Sequence, residues 1–190
     1  MKTGRLEAFS DGVLAIVITI MVLQLTAPTG SDFAILRRLI PKFLSYVLSF
    51  IYIGIYWNNH HHLFQATERV NGAILWANLT LLFMLSLIPF TTAWMGENHF
   101  AKNPVALYGI NLLLCAVSFL LLEKAVIRHE GRVSKIGRAL KNNLKEIASI
   151  SLYIIGTNSS FFVSAAGISC YAIVAIIWII PDKRIEEQLK

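Results

Sequence analysis

A chain of 190 residues that is 56% hydrophobic and 15% charged, with a mean hydropathy of +0.62, has too little polar surface to cover itself in water. Several of its runs approach the roughly 20 apolar residues that cross a bilayer as a helix, so the solvent is lipid and a soluble enzyme is excluded. The net charge of +6 sits in the gaps between those runs without an aromatic-rich basic motif, so its role is topological and no nucleic-acid partner is expected.

The first apolar run, 9–25, follows Lys2 and Arg5 as a signal peptide's would. Asp11 interrupts it, however, and no small-residue cleavage site is clear before Pro28, so a retained first span is expected. Asp11 lies a few residues into this helix and needs a reason. One reading is a cap, because a carboxylate near a helix N-terminus is stabilised by the macrodipole and accepts from free amides. The other is a buried ionic network, because charges inside spans face protein or water and find partners. Arg5 precedes Asp11 by six residues, about 240° around a helix, so a partner has to come from another helix. Further along, Ile16, Ile20 and Leu23 fall at i, i+4 and i+7 on one stripe, with Thr19 beside it. Such a stripe ordinarily meets lipid or a neighbouring helix; it acquires a function only if the helix lines a pore.

The second run, 43–64, ends in IYWNNHHHLF, where Tyr56 and Trp57 suit an interfacial belt and His60, His61 and His62 crowd one turn. Consecutive helical residues point about 100° apart, and no HExxH pattern accompanies them, so metal catalysis is not expected. One imidazole is expected to reach Asp11 or Arg5 near the cytoplasmic side, another to titrate in contact with water, and Trp57, Asn58 and Asn59 to complete a polar cluster. The third run, 73–95, contains Pro89, which should kink it; spans tolerate this when neighbours re-satisfy the freed carbonyl. A fourth run, 104–127, leads into a basic stretch, 124–145. Its part from about 128 to 145 reads as an amphipathic cytoplasmic linker, a solvated topology determinant able to meet anionic lipid headgroups. Two short runs, 147–161 and 162–180, need a tight turn near Asn158, Ser159 and Ser160. Asn78, Thr80, Thr91, Thr92, Asn111, Ser118, Ser149, Ser151 and Thr157 are scattered polar residues of the kind that glue helices together. Cys115 and Cys170, inside apolar runs, behave as small hydrophobes.

These runs define an all-α membrane protein of six transmembrane helices, organised as one domain over residues 1–190. With six spans and cytoplasmic termini, thirteen Lys and Arg residues fall inside and four outside (Arg37, Arg38, Lys42 and Lys102), as the positive-inside rule requires. A five-span arrangement would export the basic tail. No nucleophile elbow, P-loop or dinucleotide fingerprint occurs, so no enzymatic activity and no cofactor are expected.

An arginine followed by Phe-Ser-Asp in the first span (Arg5, Phe9, Ser10, Asp11), and a tryptophan and histidine pattern in the second (Trp57, His60, His61, Phe64), resemble the hallmarks of one family. It is that of the endosomal and lysosomal potassium channels of the transmembrane protein 175 family, in their bacterial single-repeat form. The resemblance implies a homotetramer in the cell membrane, with the first helix lining a central pore through which K+ and other monovalent cations pass. It implies that Ile16 is the constriction, with Ile20 and Leu23 above it in the same lumen and Thr19 presenting a hydroxyl. Arg5, Phe9, Ser10, Asp11, Trp57, His60 and His61 would form the network that holds the pore helix in register. Ala15 departs from relatives that carry a hydroxyl residue there, which implies modest selectivity over Na+. A narrow aliphatic ring cannot replace an ion's water shell, so cations that dehydrate more easily pass preferentially, and the same ring can gate by dewetting. The alternative function is a small secondary transporter or proton-leak pathway in which Asp11 and a histidine titrate as a pair.

Overall fold

The computed structural model describes residues 3–131, 134 and 144–179. Among these every regular element is a helix: α1 (Gly4–Leu23), α2 (Phe33–Leu36), α3 (Ile40–Gln65), α4 (Gly72–Ser86), α5 (Ile88–Glu97), α6 (Lys102–Glu130), α7 (Leu144–Ser160) and α8 (Ser164–Ile179), with a single 3-10 turn, Arg37–Leu39, joining α2 to α3. Four stretches are long and apolar enough to cross a membrane: Gly4–Leu23, Phe33–Gln65, Gly72–Glu97 and Lys102–Glu130. The last two helices are shorter in their described parts, so length alone supports four of the six expected spans. The basic tail and most of the 128–145 linker lie outside the described residues.

Several boundaries have a local cause. Asp32 caps α2 by accepting from the Ala34 amide (2.9 Å), and Asn71 caps α4 by accepting from Ile74 (3.0 Å). α6 stops at Gly131, whose φ of +94° suits a residue without a Cβ. The tight turn expected near Asn158, Ser159 and Ser160 falls instead at residues 161–163, because α7 stays helical through Ser160, and the Val163 amide returns to Ser159 O (2.8 Å).

The third run breaks where Pro89 lacks an amide hydrogen, so that α4 and α5 meet at Leu87. A neighbour repairs the joint. The Asn111 amide of α6, oriented by its partners, donates to Met84 O (3.1 Å) and accepts from the Ile88 amide and the Thr91 hydroxyl (both 3.2 Å).

Close packing holds the second half together. α6, α7 and α8 meet through Gly109, Gly156 and Gly167, where an added Cβ would collide with Tyr171, Cys170 or Ser160. The Tyr171 hydroxyl lies within hydrogen-bond reach of Val105 O and Ser160 Oγ (both 3.3 Å). Tyr52 of α3 donates to Tyr171 O (2.6 Å), tying the first half to this unit. Tyr56, which sequence places in an interfacial belt, instead turns its ring inward, edge-on to Phe119 at 5.9 Å. Both cysteines are free.

Both ends of the bundle are fastened. At one, Lys42 at the start of α3 pairs with Glu97 at the end of α5 (3.0 Å). At the other, Glu130 at the end of α6 accepts from the Glu68 and Arg69 amides (3.2 and 3.3 Å), beside an Asn71–His129 contact (3.2 Å).

Candidate functional site: the two faces of the first helix

One stripe of α1, made of Leu6, Ser10, Leu14, Val17 and Met21, is buried against α3, α4 and α5. The opposite face has no cover from the described chain. It carries Arg5, Gly12, Ala15, Ile16, Thr19 and Leu23. Ile16, Ile20 and Leu23 remain 60%, 45% and 71% exposed. From Ile16 to Leu23 the helix rises about 10 Å, giving a column of branched carbons. Thr19 interrupts it with a hydroxyl whose proton goes to Ala15 O (2.8 Å), so what it offers outward is oxygen lone pairs.

Asp11 lies between the two faces and turns toward α3, where its Oδ1 accepts from the Trp57 indole N–H (3.0 Å). The cap reading of Asp11 fails because α1 begins at Gly4, which places the carboxylate beyond the first-turn amides. His61 stacks on Trp57 with ring centroids 6.1 Å apart and planes 14° from parallel. Within the chain, therefore, the partner of Asp11 is an indole. Among the described residues no ion pair joins Asp11 to Arg5 or to a histidine, and Arg5 and Phe9 remain exposed.

Ser10, one residue earlier, points into the bundle and starts a second chain of bonds. Its hydroxyl donates to Leu6 O (2.8 Å) and accepts from Asn78 Nδ2 (3.0 Å), while Asn78 Oδ1 meets His60 Nε2 (2.8 Å). The directions are forced. Leu6 O can only accept, so Ser10 gives it a proton and accepts from the Asn78 amide; Asn78 Oδ1 then requires a proton on His60 Nε2. All three side chains are buried, and they link α1, α4 and α3. The structure thus gathers Ser10 with His60, and Asp11 with Trp57 and His61, as two adjacent groups.

Asn78 is the member that sequence reasoning missed. It was legible as interhelical glue, but one amide in an apolar run does not reveal which serine and which histidine it bridges. The three histidines separate by direction: His60 is buried, His61 exposed and His62 half-buried. Among the described residues no group of three or more His, Cys, Asp or Glu side chains gathers as a metal site would.

The fold and this helix define a multi-pass membrane protein whose first helix is anchored along one stripe and bare along the other. The sequence profile of the endosomal/lysosomal potassium channel TMEM175 matches residues 5–89. A potassium channel of Chryseobacterium sp. (strain P1-3) is 58% identical over 190 residues, covering all of this chain and 99% of that protein. The human endosomal/lysosomal proton channel TMEM175 is 33% identical over 116 residues, 55% of this chain and 23% of the human one. A crystal structure described as a lysosomal potassium-selective channel TMEM175 homolog from Chamaesiphon minutus superposes with a TM-score of 0.78 at 29% identity, covering 95% of this chain and 97% of that one. The chain belongs to the TMEM175 family, which is a family of ion channels and not of enzymes.

Proposed function

We propose that this chain forms a passive potassium-permeable cation channel in the cell membrane, assembled from four copies around a pore lined by α1. Ile16 is its hydrophobic constriction, continued by Ile20 and Leu23, and Thr19 supplies oxygen ligands beside it. The observation that carries this reading is the uncovered aliphatic face of α1, set back to back with a stripe that the rest of the chain grips. The 58% identical potassium channel of Chryseobacterium supports K+ as the permeant ion. A dry ring of branched side chains favours cations that shed water easily, and with Ala15 in place of a hydroxyl the selectivity over Na+ is modest. Arg5, Phe9, Ser10, Asp11, Trp57, His60 and His61 hold the pore helix in register, and both termini are cytoplasmic.

Reversal potentials of the purified protein in a planar bilayer, under opposed K+ and Na+ gradients, test the reading. K+ current that needs no coupled counter-ion is expected. Ile16→Asn should raise conductance and lower K+ preference by hydrating the ring, and Thr19→Val should lower selectivity alone. Flux that depends on a second gradient would replace the channel with a coupled transporter, and unchanged permeation in a well-folded Ile16→Asn assembly would move the pore away from α1.

A further inference from the structure

Between the end of α1 and the start of α3, the chain leaves apolar side chains and positive charge bare side by side. The apolar stretch that contains α3 runs from Phe33 to Gln65, 33 residues, about 13 more than one bilayer crossing needs. Near its end Leu63 and Phe64 are buried. Near its start Phe33 is 85% exposed, and Leu36, Ile40 and Phe43 are 46%, 50% and 55% exposed. These four fall at i, i+3, i+7 and i+10, one face of a helix. Ile35 and Leu39 are half-buried instead, with Ile35 lying over Gly30, where an added Cβ would be 2.6 Å from its Cδ1.

Arg37 and Arg38 stand in the 3-10 turn between Leu36 and Ile40, and both are exposed. The nearby carboxylates are committed elsewhere: Asp32 Oδ1 accepts from the Ala34 amide (2.9 Å), and Glu97 pairs with Lys42 (3.0 Å). Among the described residues neither guanidinium has an ion pair or a hydrogen bond. A second copy would bring the same two acids to the same end, so it would offer only groups already engaged.

Water is a poor cover for a row of Phe33, Leu36, Ile40 and Phe43. The headgroup boundary of a bilayer suits both parts, taking the apolar row among acyl chains and the arginines among phosphates. A guanidinium is always charged and its planar fork matches a phosphate oxygen pair. The phosphate of a zwitterionic lipid carries its own ammonium, whereas that of phosphatidylglycerol does not, so the net attraction selects the anionic lipid. From this juxtaposition we infer that residues 33–43 form a binding site for anionic phospholipid headgroups, at the end of the bundle fastened by Lys42 and Glu97. With cytoplasmic termini this is the outer leaflet, where Arg37 and Arg38 run against the positive-inside rule.

The test uses the full chain carrying Phe33→Cys in a Cys115→Ala, Cys170→Ala background, with bimane on the new thiol, in phosphatidylcholine vesicles. Nitroxide-labelled phosphatidylglycerol or nitroxide-labelled phosphatidylcholine is then added in increasing mole fraction. Both lipids should quench the bimane and aqueous iodide should not. Phosphatidylglycerol should do so at a mole fraction at least about fivefold lower, the preference that one arginine gives at about 1 kcal/mol. Because the probe reads only its own surroundings, the basic residues of 124–145 do not contribute. Arg37→Gln combined with Arg38→Gln should bring the two lipids to the same potency. In the parent labelled protein about 1 M NaCl should erode the preference, a result independent of whether the double variant folds. Equal quenching by the two lipids at low salt, quenching by iodide, or protection from all three quenchers by a neighbouring copy would each overturn the assignment. So would a preference that survives the loss of both arginines.

Discussion

Asn78→Leu is the most informative single change to the anchoring of α1. It removes two bonds, to Ser10 (3.0 Å) and to His60 (2.8 Å), and keeps the branched outline of the side chain with somewhat bulkier ends. Interhelical hydrogen bonds in membrane proteins contribute on average about 0.6 kcal/mol each and at most about 1.7, so the pair contributes about 1 to 3 kcal/mol. The two ends then diverge. Ser10 keeps its bond to Leu6 O and loses only an incoming donor, whereas His60 is left with a buried N–H that costs about 1 to 3 kcal/mol to leave unmade. The expected destabilisation is therefore about 2 kcal/mol, dominated by the stranded imidazole. If so, adding His60→Phe should recover part of the loss, because two apolar groups leave nothing unsatisfied. A coupling of at least about 1 kcal/mol should appear across the cycle Asn78→Leu, His60→Phe and the double. Unfolding in a fixed detergent mixture, followed by circular dichroism, measures all four proteins. Additive single effects, or a single-variant cost below about 0.5 kcal/mol, would refute the bond directions assigned above.

Asp11→Asn keeps an acceptor for the Trp57 indole, so the monomer should unfold within about 1 kcal/mol of the parent; if Asp11 also meets a charge on a neighbouring copy, the assembly should weaken by about 3 to 5 kcal/mol on size exclusion, and an unchanged assembly would limit Asp11 to its own chain. Gly109→Ala should destabilise by about 1 to 3 kcal/mol, since the new methyl meets the Tyr171 hydroxyl and the ring cannot retreat without giving up Val105 and Ser160; thermal unfolding reads this directly. Single cysteines at Gly30, Lys102 and Ser159, introduced after Cys115→Ala and Cys170→Ala, should react with an impermeant maleimide from outside the cell. Those at Gly137 and Gln188 should react only after permeabilisation, and external labelling at Gln188 would discard the six-span topology.

Much of the bundle was legible because hydrocarbon imposes a single rule, that backbone groups pair within the helix, and apolar run length follows from it. The break at Pro89 was visible for the same reason, and a turn before α8 was too, although it falls a few residues later than the Asn158–Ser160 stretch read for it. What escaped was register between helices. Nothing local to Asn111 says that it lies opposite the broken turn at Leu87, and nothing local to Asn78 selects His60 over its two neighbours. The start of α1 was read five residues late, because Arg5 and Glu7 look like loop in a hydropathy profile. The helix includes them, so of the two readings of Asp11 the cap falls away and a lateral contact between helices remains. Tyr56 was misread through composition, as a tyrosine at the end of an apolar run is as compatible with a core as with a headgroup.

The hydrogen bond from Thr19 to Ala15 O also bears on how a newly made copy survives. The bare face of α1 from Ala15 to Leu23 has no unspent donor, and its remaining surface is branched hydrocarbon, as soluble among acyl chains as in a dry lumen. A chain leaving the insertion machinery needs no partner to shelter this face. If copies assemble through α1 as proposed, folding of each can finish in the lipid and assembly can follow at whatever rate copies meet by lateral diffusion, with the polar liabilities of this face confined to the end that holds Arg5 and Asp11. Biogenesis would then be limited by encounter in the plane of the membrane rather than by the stability of a lone subunit.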